Sequence, residues 1–157
     1  MTRRFQNFIN GRSIPPNSND WIDSVNPATG EVWAQIARGN VVDVRLAVDS
    51  AKRASEQHDW RYNPANRSKI LHAIADRLDS EHQKLIEVEI NDNGKRVREV
   101  KAQMSGLGDW YRHFAVALAQ MEVENLNLNL DGVSAYLDLI PYGVAVSYTH
   151  LTLPTKA

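Results

Sequence analysis

Residues that could do chemistry are few in this chain, and they are scattered. Asn91-Asp92-Asn93 sets a carboxylate between two carboxamides, with Gly94 next. Carboxylate, amide and backbone oxygens are the ligands a hard cation takes. The same run is also an ordinary way to stop a helix, because Gly94 accepts a left-handed cap conformation. Histidines stand at 58, 72, 82, 113 and 150. None is three or four residues from another, so no helical turn offers two of them to a metal. His72 and His113 fall in charge-rich helical stretches and read as exposed. Glu87 and Glu89, like Glu122 and Glu124, sit two apart, which on a helix aims them at different faces. They read as solvated charges, not as an acid–base pair. Gly106-Leu107-Gly108 begins a G-x-G, but position 111 is Tyr and the segment reads as mid-helix. A dinucleotide fingerprint runs from a strand into a helix. There is no Walker lysine motif and no H-E-x-x-H. Trp21, Trp33, Trp60 and Trp110 read as packing anchors.

Composition narrows the classes further. The 157 residues are 43% hydrophobic and 24% charged, a soluble globular profile long enough for one domain with a single core. A net charge of −1 leaves no electrostatic footprint for nucleic acid or an acidic membrane. Thr2-Arg3-Arg4 is followed by Phe5-Gln6-Asn7 and not by an apolar run, so no signal peptide is read. No stretch has the length of a membrane span, and the cytoplasm is the expected compartment. The chain has no cysteine, so it can form no disulfide, thiolate zinc site or cysteine nucleophile of its own.

The elements that must position these residues are legible as an α/β pattern. Asn10-Gly11 between apolar residues supplies the positive φ angles of a two-residue hairpin turn. A second antiparallel unit turns at Pro27–Gly30, so residues 1–38 read as two β-hairpins. Asn40 caps a predicted helix over 41–57, with Val44, Ala47, Ala51 and Ala54 on one face. Asn63-Pro64 starts another over 64–79. Ser80-Glu81-His82-Gln83 reads as a capping box for a third over 81–92. Val97, Val100, Met104, Leu107, Tyr111, Phe114, Leu118 and Met121 recur every three or four residues and predict one long core helix over 97–121. A coiled coil is the competing reading of that seam. Gly106 and Gly108 are costly inside such a helix, and close approach by another element would account for them. Strands follow Asn125: Leu126, Leu128 and Leu130 share a face, Tyr136, Asp138 and Ile140 alternate with Ala135, Leu137 and Leu139, and Asp131-Gly132 is the turn.

The order "FINGR", "SVNPATGEVWAQIARG", "AVDSAKRA", "DW", "NRSKILHAIADRL", "NDNGK" and "PYGV" resembles the aldehyde dehydrogenase superfamily over residues 5–144. The resemblance implies NAD or NADP as cofactor, an aldehyde substrate oxidised to a carboxylic acid through a cysteine thiohemiacetal, and a homo-oligomer. It implies that residues 1–124 are the N-terminal part of a cofactor-binding domain and 125–144 the start of a β arm that pairs across a subunit interface. It also implies that these elements pack on a parallel sheet formed mostly by later sequence, which would leave the 97–121 seam partly uncovered here. In the family a P-W-N segment, a lysine for the cofactor ribose, a Gly-rich phosphate segment, a general-base Glu and the Cys nucleophile come after "PYGV". None of these is in the chain, so no catalytic or cofactor-binding residue is carried over, and the chain itself is expected to be inactive and to bind no cofactor. The cation position of some members would fall near Ser24, Val25 and Asp92.

The C-terminal run resembles something else. The codons GTC TCT TAT ACA CAT CTG ACG CTG CCG ACG of a transposon-end sequencing adapter translate to Val146–Thr155 without a mismatch. Residues 145–157 therefore read as a non-native tail. Two further readings stand beside an aldehyde dehydrogenase fragment: a non-catalytic module that pairs through the β arm with full-length subunits, and a helical binding domain built on the seam.

Overall fold

The computed structural model describes residues 2–121, 124–126, 132–137 and 139–147. Leu128, Leu130, Asp131, Asp138, His150 and the tail from Tyr148 onward lie outside the described residues. Strands β1 (Arg3–Phe5), β2 (Asn7–Ile9), β3 (Arg12–Ile14), β4 (Trp21–Val25) and β5 (Val32–Ala37) come first. Helices α1 (Val41–Ser55), α2 (His58–Tyr62), α3 (Pro64–Asn93), α4 (Val97–Ser105) and α5 (Leu107–Ala119) follow, then β6 (Glu124–Leu126) and β7 (Ala135–Leu137).

Both expected hairpins form. Asn10 (φ 53°) and Gly11 (φ 73°) make the turn that pairs Ile9 with Arg12 in the β2–β3 ladder. In the second, Asn26 takes the turn's amides on its own oxygens: its side chain accepts from Ala28 N at 2.9 Å and its carbonyl from Gly30 N at 2.8 Å. β4 and β5 then run antiparallel. β1 adds parallel to β5, a pairing the sequence reading does not contain, and completes a three-stranded sheet in the order β1-β5-β4.

The helices depart from expectation in four places. Residues 64–79 and 81–92 form one helix, α3, 30 residues long. Ser80 starts nothing, because its hydroxyl donates back to the Arg77 carbonyl at 2.9 Å inside the helix. Arg77 and Lys84 both pair with Glu81 across the expected break, at 2.8 and 2.6 Å. The stretch 97–121 is not one helix but breaks at Gly106 into α4 and α5. The seam fails with it: Val100 is fully buried, whereas Val97, Phe114 and Met121 face outward. Val44, Ala47, Ala51 and Ala54 do not bury a face of α1; all four are exposed. Trp110 anchors nothing in the core; it is 65% exposed and stacks on Phe114.

The core is narrow. Ala75 and Ile86 of α3, Val100 of α4 and Ala115 of α5 are buried, and Ala34 is the buried centre of the sheet. Small residues let α3 and α5 approach closely enough that Ser68 Oγ donates to the Ala115 carbonyl at 2.8 Å in the buried interior. Gly108 is the close-approach glycine of that pair: a Cβ there would overlap the Asp79 carboxylate. Gly106 faces open space, so its role is the break and not an approach.

Candidate functional site

The residues singled out for a cation meet where the β4–β5 turn docks on the C-terminal end of α3. Ser24 Oγ donates to Asp92 Oδ1 at 2.6 Å and accepts the Trp33 indole N–H at 2.8 Å. Two residues on, Asn26 Nδ2 donates to Asn91 Oδ1 at 3.0 Å, and Asn91 Nδ2 donates to the Glu87 carbonyl at 2.8 Å. Gly94, left-handed at φ 69°, closes the helix by donating its N–H to the Ile90 carbonyl at 3.0 Å. The space for a Cβ on Gly94 is taken by the Pro27 ring, whose Cβ would lie 3.1 Å away. "NPATG" and "NDNG" are thus two halves of one joint, 65 residues apart between Asn26 and Asn91.

The physical chemistry of this joint is that of a negative pole. The last turn of α3 carries no basic residue, so its carbonyl ends and the Asp92 carboxylate add in sign. Lys95 does not offset Asp92, because its ammonium pairs with Glu89 at 2.7 Å. One carboxylate, one hydroxyl and neutral oxygens suit a weakly held hard cation. They do not suit a transition metal, and no group of three or more His, Asp or Glu able to hold a metal occurs among the described residues. Ser24 and Asp92 are hydrogen-bonded to each other, and Val25 follows Ser24 at the register shift near the end of the β4–β5 pairing. Trp33 and Asn26 were not singled out as site residues. Alternation alone sets Ser24 opposite Ala34, and Trp33 reaches Ser24 only at the register shift between Ser24 and Val25, which the sequence does not announce; nothing in β4 or β5 names α3 as the partner.

The other titratable groups build structure. Arg112 of α5 binds Asp79 at 2.6 Å and Asp76 at 2.9 Å on α3, and reaches Asp109 at 3.4 Å. Its hydrogen bonds to Asp79 and then Asp76 raise the guanidinium's already high pKa, so it stays charged. His72 and His113 are exposed as expected, and His82 Nδ1 lies 2.8 Å from the Asp79 carbonyl. A groove of about 530 Å³ lies between β1 and α3, lined by Phe5, Ile74, Leu78, Leu85 and Val88. Its charged rim of Arg3, Arg77, Glu81 and Lys84 holds no nucleophile.

Comparison with known proteins identifies the family. The aldehyde dehydrogenase family matches residues 14–150. An aldehyde dehydrogenase of Deinococcus radiodurans is 38% identical over 144 residues, covering 90% of this chain and 27% of its own. The (Z)-2-((N-methylformamido)methylene)-5-hydroxybutyrolactone dehydrogenase of Acinetobacter baylyi is 30% identical over 146 residues, 92% of this chain and 30% of its own. Among solved structures, an NAD-dependent aldehyde dehydrogenase from Sinorhizobium meliloti superposes with a TM-score of 0.77 at 26% identity, over 83% of this chain and 26% of its own. A betaine aldehyde dehydrogenase mutant from Staphylococcus aureus, in complex with NAD+, gives 0.77 at 25% identity, over 82% and 26%. The chain spans less than a third of the length of these relatives.

Proposed function

The chain belongs to the aldehyde dehydrogenase family, and from that premise we propose that it is the N-terminal part of an NAD(P)-dependent enzyme that oxidises an aldehyde to a carboxylic acid. The observation that carries this reading is the family match across residues 14–150 on a chain less than a third as long as its relatives. Residues 1–124 would belong to the cofactor-binding domain and 125–144 to an oligomerisation arm. The antiparallel β6–β7 ladder, with Leu126, Tyr136 and Leu137 exposed, supports the arm and a homo-oligomer built through it. Ser24, Val25 and Asp92 would hold a weakly bound hard cation that braces the joint. The nucleophile and the cofactor phosphate segment would come from sequence after Val144, with residues 145–157 non-native.

Two measurements test this. Genomic sequence across codon 144 is expected to continue in frame into P-W-N and, later, a cysteine. The purified 157-residue chain is expected to give no aldehyde-dependent NAD(P)H, since thiohemiacetal formation needs a thiolate and the chain has no cysteine. Turnover above a mock preparation that survives repurification overturns that expectation. A natural stop near codon 144 favours a second reading, a non-catalytic module pairing with full-length subunits, for which the exposed β6–β7 ladder is the specific support.

A further inference from the structure

We propose that Asn10 is a site of spontaneous deamidation and isoaspartate formation, and that the second Asn-Gly pair, Asn93-Gly94, is protected by its fold. The chemistry is intramolecular. The backbone nitrogen of Gly11, giving its proton to water, attacks Cγ of Asn10. A C–N bond forms, the Cγ–Nδ2 bond breaks, and the nitrogen leaves as ammonia. Water then opens the cyclic imide at either carbonyl, giving aspartate or isoaspartate, with no change of oxidation state. Glycine at the following position removes the side chain that would hinder this attack, and asparagine is a thermolabile residue in general.

The two pairs share this sequence, their exposure to water and a left-handed glycine, and differ in hydrogen bonding and in the space around the glycine. Asn10-Gly11 is the exposed two-residue turn of β2–β3. No hydrogen bond to the Asn10 carboxamide or from the Gly11 amide occurs among the described residues. Gly11 has open space where a side chain would stand, with no atom within 4 Å. The nucleophile is therefore unengaged, the carboxamide is free to turn and water has access. Asn93-Gly94 is equally open to water, but its nucleophile and its carboxamide are engaged. Gly94 N–H is spent on the Ile90 carbonyl at 3.0 Å. The Asn93 carboxamide is held at both ends: Nδ2 donates to Glu89 Oε1 at 2.5 Å and Oδ1 accepts from Lys95 N at 2.9 Å. Pro27 crowds Gly94 from the third side.

Isoaspartate at position 10 would add a backbone carbon to the turn and a negative charge. A two-residue turn fixes the register of its hairpin, so the Ile9–Arg12 pairing would loosen. The modified chain would be a substrate for an enzyme that methylates isoaspartyl carboxyls.

The test is ageing of the full chain in warm, mildly alkaline buffer, with and without denaturant. The readout is peptide mapping of Phe5–Arg12 and Leu85–Lys95. In native buffer Asn10 is expected to deamidate several-fold faster than Asn93, the product accepting methyl groups from an isoaspartyl methyltransferase. In denaturant the two rates are expected to converge. Equal native rates, or a faster Asn93, overturn the proposal. So does a native ratio that denaturant leaves unchanged, which would assign the difference to local sequence and not to the fold. Neither result bears on the family's chemistry.

Discussion

Helix α1 and the pair α3–α5 both carry apolar residues along their length, but only the pair buries some of its residues against a neighbouring helix. α5 packs along α3 through Ser68, Ala75, Gly108 and Ala115, all buried. α1 carries Val41, Val42, Val44, Leu46 and Val48, and every one is at least 44% exposed. What holds α1 is polar. Asp43, 4% exposed, accepts the Asn17 N–H on both oxygens at 3.1 and 3.2 Å and the Asn40 N–H at 2.9 Å, completing a capping box with Asn40. A helix needs a start signal to begin and a partner to be stable; α1 has the first and little of the second. In the family reading its partner is the parallel sheet of later sequence.

Hydrogen exchange should show the largest contrast. Amides in the middle of α1 are expected to exchange with almost no protection, while those of α3 facing Ala115 are protected by the stability of the packed pair. Strong binding of a hydrophobic dye is expected alongside, since Val41, Val44 and Val48 are exposed together on one face of α1. Equal protection in α1 and α3 would break the comparison.

Substitutions on the two sides should then separate. Val100→Ala truncates the largest fully buried side chain among the described residues and should cost about 2 kcal/mol, read as lost protection in α3 and α4. Asp43→Ala orphans the Asn17 and Asn40 amides and should cost about 1–2 kcal/mol. Its effect should be confined to α1, as a fall in helical circular dichroism with α3 protection unchanged. A loss in α3 on Asp43→Ala would show that α1 is part of the same cooperative unit.

How far the sequence was legible follows from the range of the forces involved. Local signals held: the Asn10-Gly11 turn, the Asn40 and Asn63 caps and the Gly94 stop each depend on a few neighbouring atoms. Signals whose outcome depends on a distant partner did not. Ser80 has the pattern of a cap, yet α3 runs on through it beside α5, whose Arg112 binds Asp76 and Asp79. The 97–121 periodicity is real, but Gly106 divides it, and Phe114 and Met121 stay exposed. Ser24 and Asp92 came together through the resemblance; their own neighbours in sequence do not point to each other. The Trp33 and Asn26 bonds that lock the joint were missed for the same reason.

The smallest effect sits where α3 passes through the expected break. Glu81 has its pKa lowered, chiefly by the hydrogen bond from Lys84, against a desolvation that acts the other way, with the charges of Arg77 and Lys84 adding to the lowering. A carboxyl whose folded pKa is depressed stabilises the fold above its unfolded pKa and loses that contribution as pH falls through the folded value. The window therefore lies at and below the ordinary carboxylate range. Both cations lie on solvent, with Arg77 76% and Lys84 78% exposed, so the pairs are screened and weak. Glu81→Gln should slightly lower exchange protection around residues 77–84 at neutral pH and low salt. In strong acid, where both side chains are neutral, variant and parent should be indistinguishable, and added salt should shrink the neutral-pH difference. If Glu81→Gln instead splits α3 near Ser80, local ion pairing and not the packing of α5 is what keeps the helix whole. The contrast between α1 and α3 would then rest on surface charge as well as on buried partners.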